Sequence, residues 1–165
     1  KDHNWHRGGY GKITIKQGLA SSSEIAVYKA MEMAFNGYTQ TYYDQLKKIG
    51  ISNLDTPLQM LTAYNSIANN RNNQANIDSL KQALEYVVTD GLGQPAKSDK
   101  VQVAGKTGMV QLEDGSYIVE FCGYFPADNP QYTIIVSINK MELPVSGGLT
   151  AGDVFRQIVD ILLLT

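Results

Sequence analysis

Apolar residues recur at helical intervals through the first half of the chain and at alternating intervals through much of the second half. In SSSEIAVYKAMEMAFNG, residues 21–37, Ile25, Tyr28, Met31 and Phe35 fall three or four apart, which predicts an amphipathic helix. Ser21 followed by Glu24 reads as a capping box at its start, and Gly37 as its stop. TQTYYDQLKKIG, residues 39–50, predicts a shorter helix with Tyr42 or Tyr43, Leu46 and Ile49 on one side. DTPLQMLTAYNSIANN predicts a third, with Thr56 as N-cap, Pro57 at the first helical position and Gln59 closing a capping box. Its stripe is Leu58, Leu61, Tyr64 and Ala68. NNRNNQANID, residues 69–78, has no apolar period and reads as a surface loop or linker. DSLKQALEYVVTDG then predicts a fourth helix with Leu80, Leu84, Val87 and Val88 inward and Gly91 at its end.

Alternation takes over elsewhere. KITIK, residues 12–16, reads as a short strand or extended segment. Strands are expected at 101–111 and 117–125, joined at the EDG turn, with DNP leading into a third, QYTIIVSIN. TAGDVFRQIVDILLL closes the chain as a helix with a Thr150-to-Asp153 box and a face of Val154, Phe155, Ile158, Ile161 and Leu162. The order predicts an α+β fold: an antiparallel meander packed against a C-terminal helix, with a cluster of helices before it. A single domain over 1–165 is expected, its helical part spanning about 17–92 and its sheet and last helix about 100–165.

At 165 residues and 43% apolar content the chain can bury one core. Its 14 basic and 16 acidic residues give a net charge of −2, with no basic run, which argues against nucleic acid as a partner. No stretch approaches the run of about 20 apolar residues that a membrane helix needs. The single cysteine, Cys122, sits in an apolar strand and reads as core. His3 and His6 beside Asp2 read as solvated surface, so no metal and no cofactor is expected.

The candidate chemistry lies in VAGKTGMVQ, residues 103–111. A strand interior that holds Lys106 and Thr107 between Gly105 and Gly108 is weakened by those glycines, which mark a close approach to the backbone. Alternatively, Lys106 is an edge lysine that discourages pairing and snorkels to water.

VAGKTGMVQ, followed by FCGYFPADNPQYTIIVSINKMELP and GGLTAGDVFRQIVDILL, resembles in order the C-terminal part of the penicillin-binding protein transpeptidase domain. NLDTPLQMLTAYNSIANN resembles a helix of the same family, and GKITIKQGLASSSEIAVYKA its segment around the S-x-N motif. The resemblance implies acyl transfer on D-alanyl-D-alanine-ended peptidoglycan stems through a serine acyl-enzyme that β-lactams mimic. It places substrate carboxylate binding on Lys106, Thr107 and Gly108, with the backbone N–H of Met109 as an oxyanion donor. Met109 stands where the family usually has threonine or serine. The S-x-N motif would fall on Ser22-Ser23-Glu24, with Ser22 as proton relay. Glu24 departs from the pattern, since an ionised carboxylate only accepts hydrogen bonds. A plain capping box accounts for Ser21 and Glu24 equally well.

The family's nucleophilic serine, three residues before a lysine base, is expected to be missing: Ser98-Asp99-Lys100 has the wrong spacing, and Ser79 precedes Lys81 by one residue too few. KKIGISNLDTPLQ and IANNRNNQANIDS are shorter than the corresponding family connections. These departures imply either a domain whose N-terminal part is absent, and which would be that part's partner, or a reduced relative. Two functions follow. One is the C-terminal portion of a D,D-transpeptidase on the extracytoplasmic or periplasmic face of a bacterial membrane. The other is a non-catalytic module that binds peptidoglycan stem peptide or a β-lactam.

Overall fold

The computed structural model describes residues 2, 5–37, 39–48, 56–69, 74–142 and 150–164. Its helices are α1 (Ile15–Ala20), α2 (Glu24–Phe35), α3 (Thr39–Lys48), α4 (Pro57–Asn69), α5 (Gln74–Thr89) and α6 (Ala151–Leu162). Its strands are β1 (Ala104–Gln111), β2 (Tyr117–Phe125) and β3 (Tyr132–Lys140). They pair antiparallel in the order β1-β2-β3, so β1 is an edge of this sheet. The turn from β1 to β2 closes through Leu112 N–H donating to the Ser116 carbonyl at 2.8 Å. Gly115 there takes φ +84°, which a side chain would disfavour, and the Asp114 carboxylate accepts from both Ser116 N–H and Ser116 Oγ.

Strand alternation divides β2 between two helical layers. Phe121 and Phe125 point to one face, where they join Val136, Phe155 and Val159 in one buried cluster. Phe155 of α6 meets both rings edge-on, with centroids 4.7 and 6.0 Å away. Tyr124 points to the other face and is buried with Ala104, Ala68 of α4 and Leu84 of α5. The sheet is therefore covered on both sides, which explains why the central strand ends in the unbroken apolar run FCGYF. The expected α+β meander with α6 across it is the observed architecture.

Several local expectations are corrected. KITIK is not a strand: Thr14 and Gln17 form a capping box that starts α1 at Ile15. Five alternating residues do not outweigh the backbone groups that this box satisfies. The N-cap of α2 is Ser23, whose Oγ accepts from Ala26 N–H at 3.1 Å, whereas Ser21 Oγ turns back to the Gln17 carbonyl at 2.8 Å. Three adjacent serines thus serve two helix ends, and Glu24 closes no box with Ser21. Thr56, Pro57 and Gln59 do open α4 as expected, but Leu58 is 71% exposed and Ala63 is buried in its stead. α5 begins at Gln74, taking in residues that composition assigns to a loop; residues 70–73 lie outside the described residues. Of the stripe expected of α3, Tyr42, Leu46 and Ile49 lie outside the described side chains, and Tyr43, the alternative to Tyr42, is exposed. In α6 the Thr150–Asp153 box is present, Ile161 faces water, and Val159 is fully buried.

Candidate functional site

The short helix α1 ends in a loop that carries Ser22. Ser23 N–H donates to the Gly18 carbonyl at 2.8 Å and Ser22 N–H to the Leu19 carbonyl at 3.2 Å, the hydrogen-bond pair of a Schellman motif. Its left-handed position is held by Ser22, φ +52°, where glycine is the usual residue. Two glycines fix where this loop lies. A Cβ on Gly18 would stand 2.6 Å from the Ala26 Cβ, so α1 and α2 meet closely only because Gly18 has none. A Cβ on Gly91 would stand 2.6 Å from the Ala20 carbonyl oxygen, at the point where Leu92 N–H donates to that same oxygen. The end of α1 is thereby fastened to the end of α5, and α5 packs on β1.

This packing brings Ser22 to Lys106. The half-buried ammonium donates to Ser22 Oγ, to the Thr107 carbonyl at 2.9 Å and to Thr107 Oγ1 at 3.3 Å. All three acceptors are uncharged, and among the described residues no carboxylate pairs with Lys106. Burial lowers the lysine from its ordinary value to about 8.

The glycines flanking Lys106 do different work. Gly105 lies opposite Gly123, and a Cβ on Gly105 would come within 2.6 Å of the Cys122 carbonyl oxygen and of the Phe121 ring. What approaches the backbone at Gly105 is therefore the core, a glycine pair covered by an aromatic ring. Gly108 differs: a Cβ there would meet only Glu120, at 3.7 Å, and the protein itself does not require glycine. Next to it, Met109 leaves 59% of its surface exposed.

Of the other residues considered from the sequence, Glu24 is exposed at the first position of α2. Cys122 is buried, and burial pushes its thiol up to about 12. His6 is exposed, and His3 lies outside the described residues. The expectation that no serine has the S-x-x-K spacing is corrected: Ser137 precedes Lys140 by three. Both belong to β3, where residues three apart point to opposite faces, so the pair cannot meet as it would on a helical turn. Ser137 Oγ donates instead to Glu120 Oε1 at 2.9 Å. Sequence reasoning passed over Gly18 and took Gly91 only as the end of a helix, not as the point where the chain meets the Ala20 carbonyl.

The sequence profile of the penicillin binding protein transpeptidase domain matches residues 36–160. The chain belongs to this family. Curated relatives include the peptidoglycan D,D-transpeptidase FtsI homolog of Mesostigma viride, 36% identical over 88 residues, which are 48% of this chain and 15% of that protein. Stage V sporulation protein D of Bacillus subtilis (strain 168) is 34% identical over 87 residues, 48% of this chain and 14% of that protein. The chain thus matches about one-seventh of the length of these relatives. The transpeptidase domain of the FtsI4 D,D-transpeptidase from Legionella pneumophila superposes with a TM-score of 0.76 at 24% identity, over 91% of this chain and 69% of that one. That likeness shows the fold. The family match includes Lys106, Thr107 and Gly108, while α1 and Ser22 precede it.

Proposed function

We propose that this penicillin-binding transpeptidase chain is the C-terminal portion of a peptidoglycan D,D-transpeptidase, and that β1 is its substrate-anchoring strand. A stem peptide ending in D-alanyl-D-alanine, or a β-lactam, adds to the free edge of β1 through main-chain hydrogen bonds. Its carboxylate is held by the Lys106 ammonium and the Thr107 hydroxyl, with Gly108 keeping the approach open and Met109 N–H serving as an oxyanion donor. Ser22 passes a proton to or from Lys106. The observation that carries this reading is a half-buried ammonium on an edge strand, bonded to Ser22 and Thr107 and in no ion pair among the described residues.

The nucleophilic serine and its lysine base come, in this reading, from a part of the transpeptidase domain outside this sequence. α2 supports this, because none of its twelve residues is buried although Ile25, Val27, Tyr28 and Met33 are apolar or aromatic. The missing part would cover that helix and make an otherwise solvated apolar surface part of a core. The site would work outside the cytoplasmic membrane, where peptidoglycan lies; among the described residues no helix is long and apolar enough to cross a membrane.

Labelled penicillin tests the reading. The intact parent protein should form an adduct that survives denaturation, and this chain alone should form none. Lys106→Ala in the parent should lower acylation with the fold retained. An adduct on the isolated chain would overturn the assignment of the nucleophile, and unchanged acylation in Lys106→Ala would reduce Lys106 to an edge lysine. An intact parent that binds stem peptide without acylating would be the binding module.

A further inference from the structure

Asp2 is one of four buried polar or charged residues among those described, 8% exposed, and its hydrogen-bond partners Ser23 and Ile25 lie far along the chain. Its Oδ2 accepts from Ser23 Oγ at 2.6 Å and its Oδ1 from Ile25 N–H at 3.2 Å. Both carboxylate oxygens are thus engaged at the first turn of α2, where the helix leaves N–H groups unpaired and an anion is favoured. The Ser23 hydroxyl, followed by the backbone N–H groups, holds the carboxyl below its ordinary value against the opposing effect of burial.

Ser23 is also the residue after Ser22. It closes the Schellman motif through its N–H to Gly18, caps α2 by accepting from Ala26 N–H, and spends its hydroxyl proton on Asp2. Every polar group that fixes Ser23 therefore also fixes the turn in which Ser22 takes its left-handed conformation. A serine at φ +52° costs about 1 kcal/mol or more relative to an ordinary backbone conformation and persists only where its surroundings enforce it. Ser22 itself is held through its backbone on one side and through Lys106 on the other.

We propose that Asp2 is a positioning residue: by clamping Ser23 to the start of α2 it holds the Ser22 hydroxyl against the Lys106 ammonium. The proposal rests on the reading of Ser22 and Lys106 as a functional pair. It gives a role in that pair to a carboxylate that touches neither member.

The test replaces the Ser22 hydroxyl by a thiol and reads its ionisation. In Ser22→Cys the thiol lies beside a cation and should ionise about one pKa unit below an ordinary cysteine, measured as the pH dependence of iodoacetamide alkylation. The native Cys122 is buried and does not interfere. Adding Asp2→Ala should return the thiol to the ordinary range and slow alkylation near pH 7 several-fold. Asp2→Asn keeps the bond to Ile25 N–H, and with it the start of α2, but turns a nitrogen donor toward Ser23; it too should raise the thiol pKa. A depressed value retained in Asp2→Asn, or in folded Asp2→Ala, would make Asp2 a helix cap and nothing more. An ordinary value already in Ser22→Cys alone would instead sink the pairing of Ser22 with Lys106.

Discussion

Lys106 on β1 donates a hydrogen bond to the hydroxyl of Ser22, a residue 84 positions earlier in the chain. Neither residue is placed there by its own element alone. β1 supplies an edge, the end of α1 supplies a left-handed turn, and α5 joins the two, packed on β1 and fastened to Ala20 just past its end.

The left-handed turn makes a prediction about stability. Ser22→Gly and Ser22→Ala both remove the hydroxyl, but only glycine relieves the backbone at φ +52°. Ser22→Gly should be more stable than Ser22→Ala by about 1 kcal/mol in urea unfolding. Equal midpoints would mean that the turn is not strained.

The two glycines beside Lys106 should separate sharply. In Gly105→Ala the new methyl meets the Cys122 carbonyl and the Phe121 ring at 2.6 Å, backbone and packed core that have little room to move. A loss of about 1–3 kcal/mol or more is expected. Gly108→Ala meets nothing closer than 3.7 Å and should change stability by less than about 0.5 kcal/mol. In the intact parent, however, Gly108→Ala should slow penicillin acylation by narrowing the approach to β1.

Lys106 should leave a signature in the pH dependence of folding. Its pKa is about 8 when folded and ordinarily 10.5. Between those values the unfolded chain holds a proton that the folded chain has released, so this lysine makes stability rise with pH across that window. Below about pH 8 both states are protonated and its penalty is constant. Subtracting the stability profile of Lys106→Met from that of the unsubstituted chain isolates the rise, and a flat difference between pH 8 and 10.5 would contradict the lowered value.

Cys122 should be inert while the chain is folded. At 1% exposure, with its thiol pushed up to about 12, it should resist iodoacetamide at pH 8 and react fully once urea unfolds the protein. Labelling of the native chain at pH 8 would show that β2 opens.

Much of this was legible in the sequence because it depends on near neighbours. The boxes Thr56–Gln59 and Thr150–Asp153 act over three residues, and β2 and β3 follow from their own apolar, β-branched and aromatic runs. Lys106-Thr107-Gly108 stood out as polar residues and glycines in a strand, and the family resemblance gave them a role.

Tertiary structure alone decided which of three consecutive serines caps a helix, which one turns left-handed toward Lys106, and that Asp2 lies beneath them. It also separated Gly105, closed over by a core ring, from Gly108, where an added Cβ would meet nothing closer than 3.7 Å. The physical reason is range. Capping boxes and strand alternation are satisfied within a few residues, whereas a hydroxyl's partner and the space above a glycine are set by whatever distant segment the packing brings alongside.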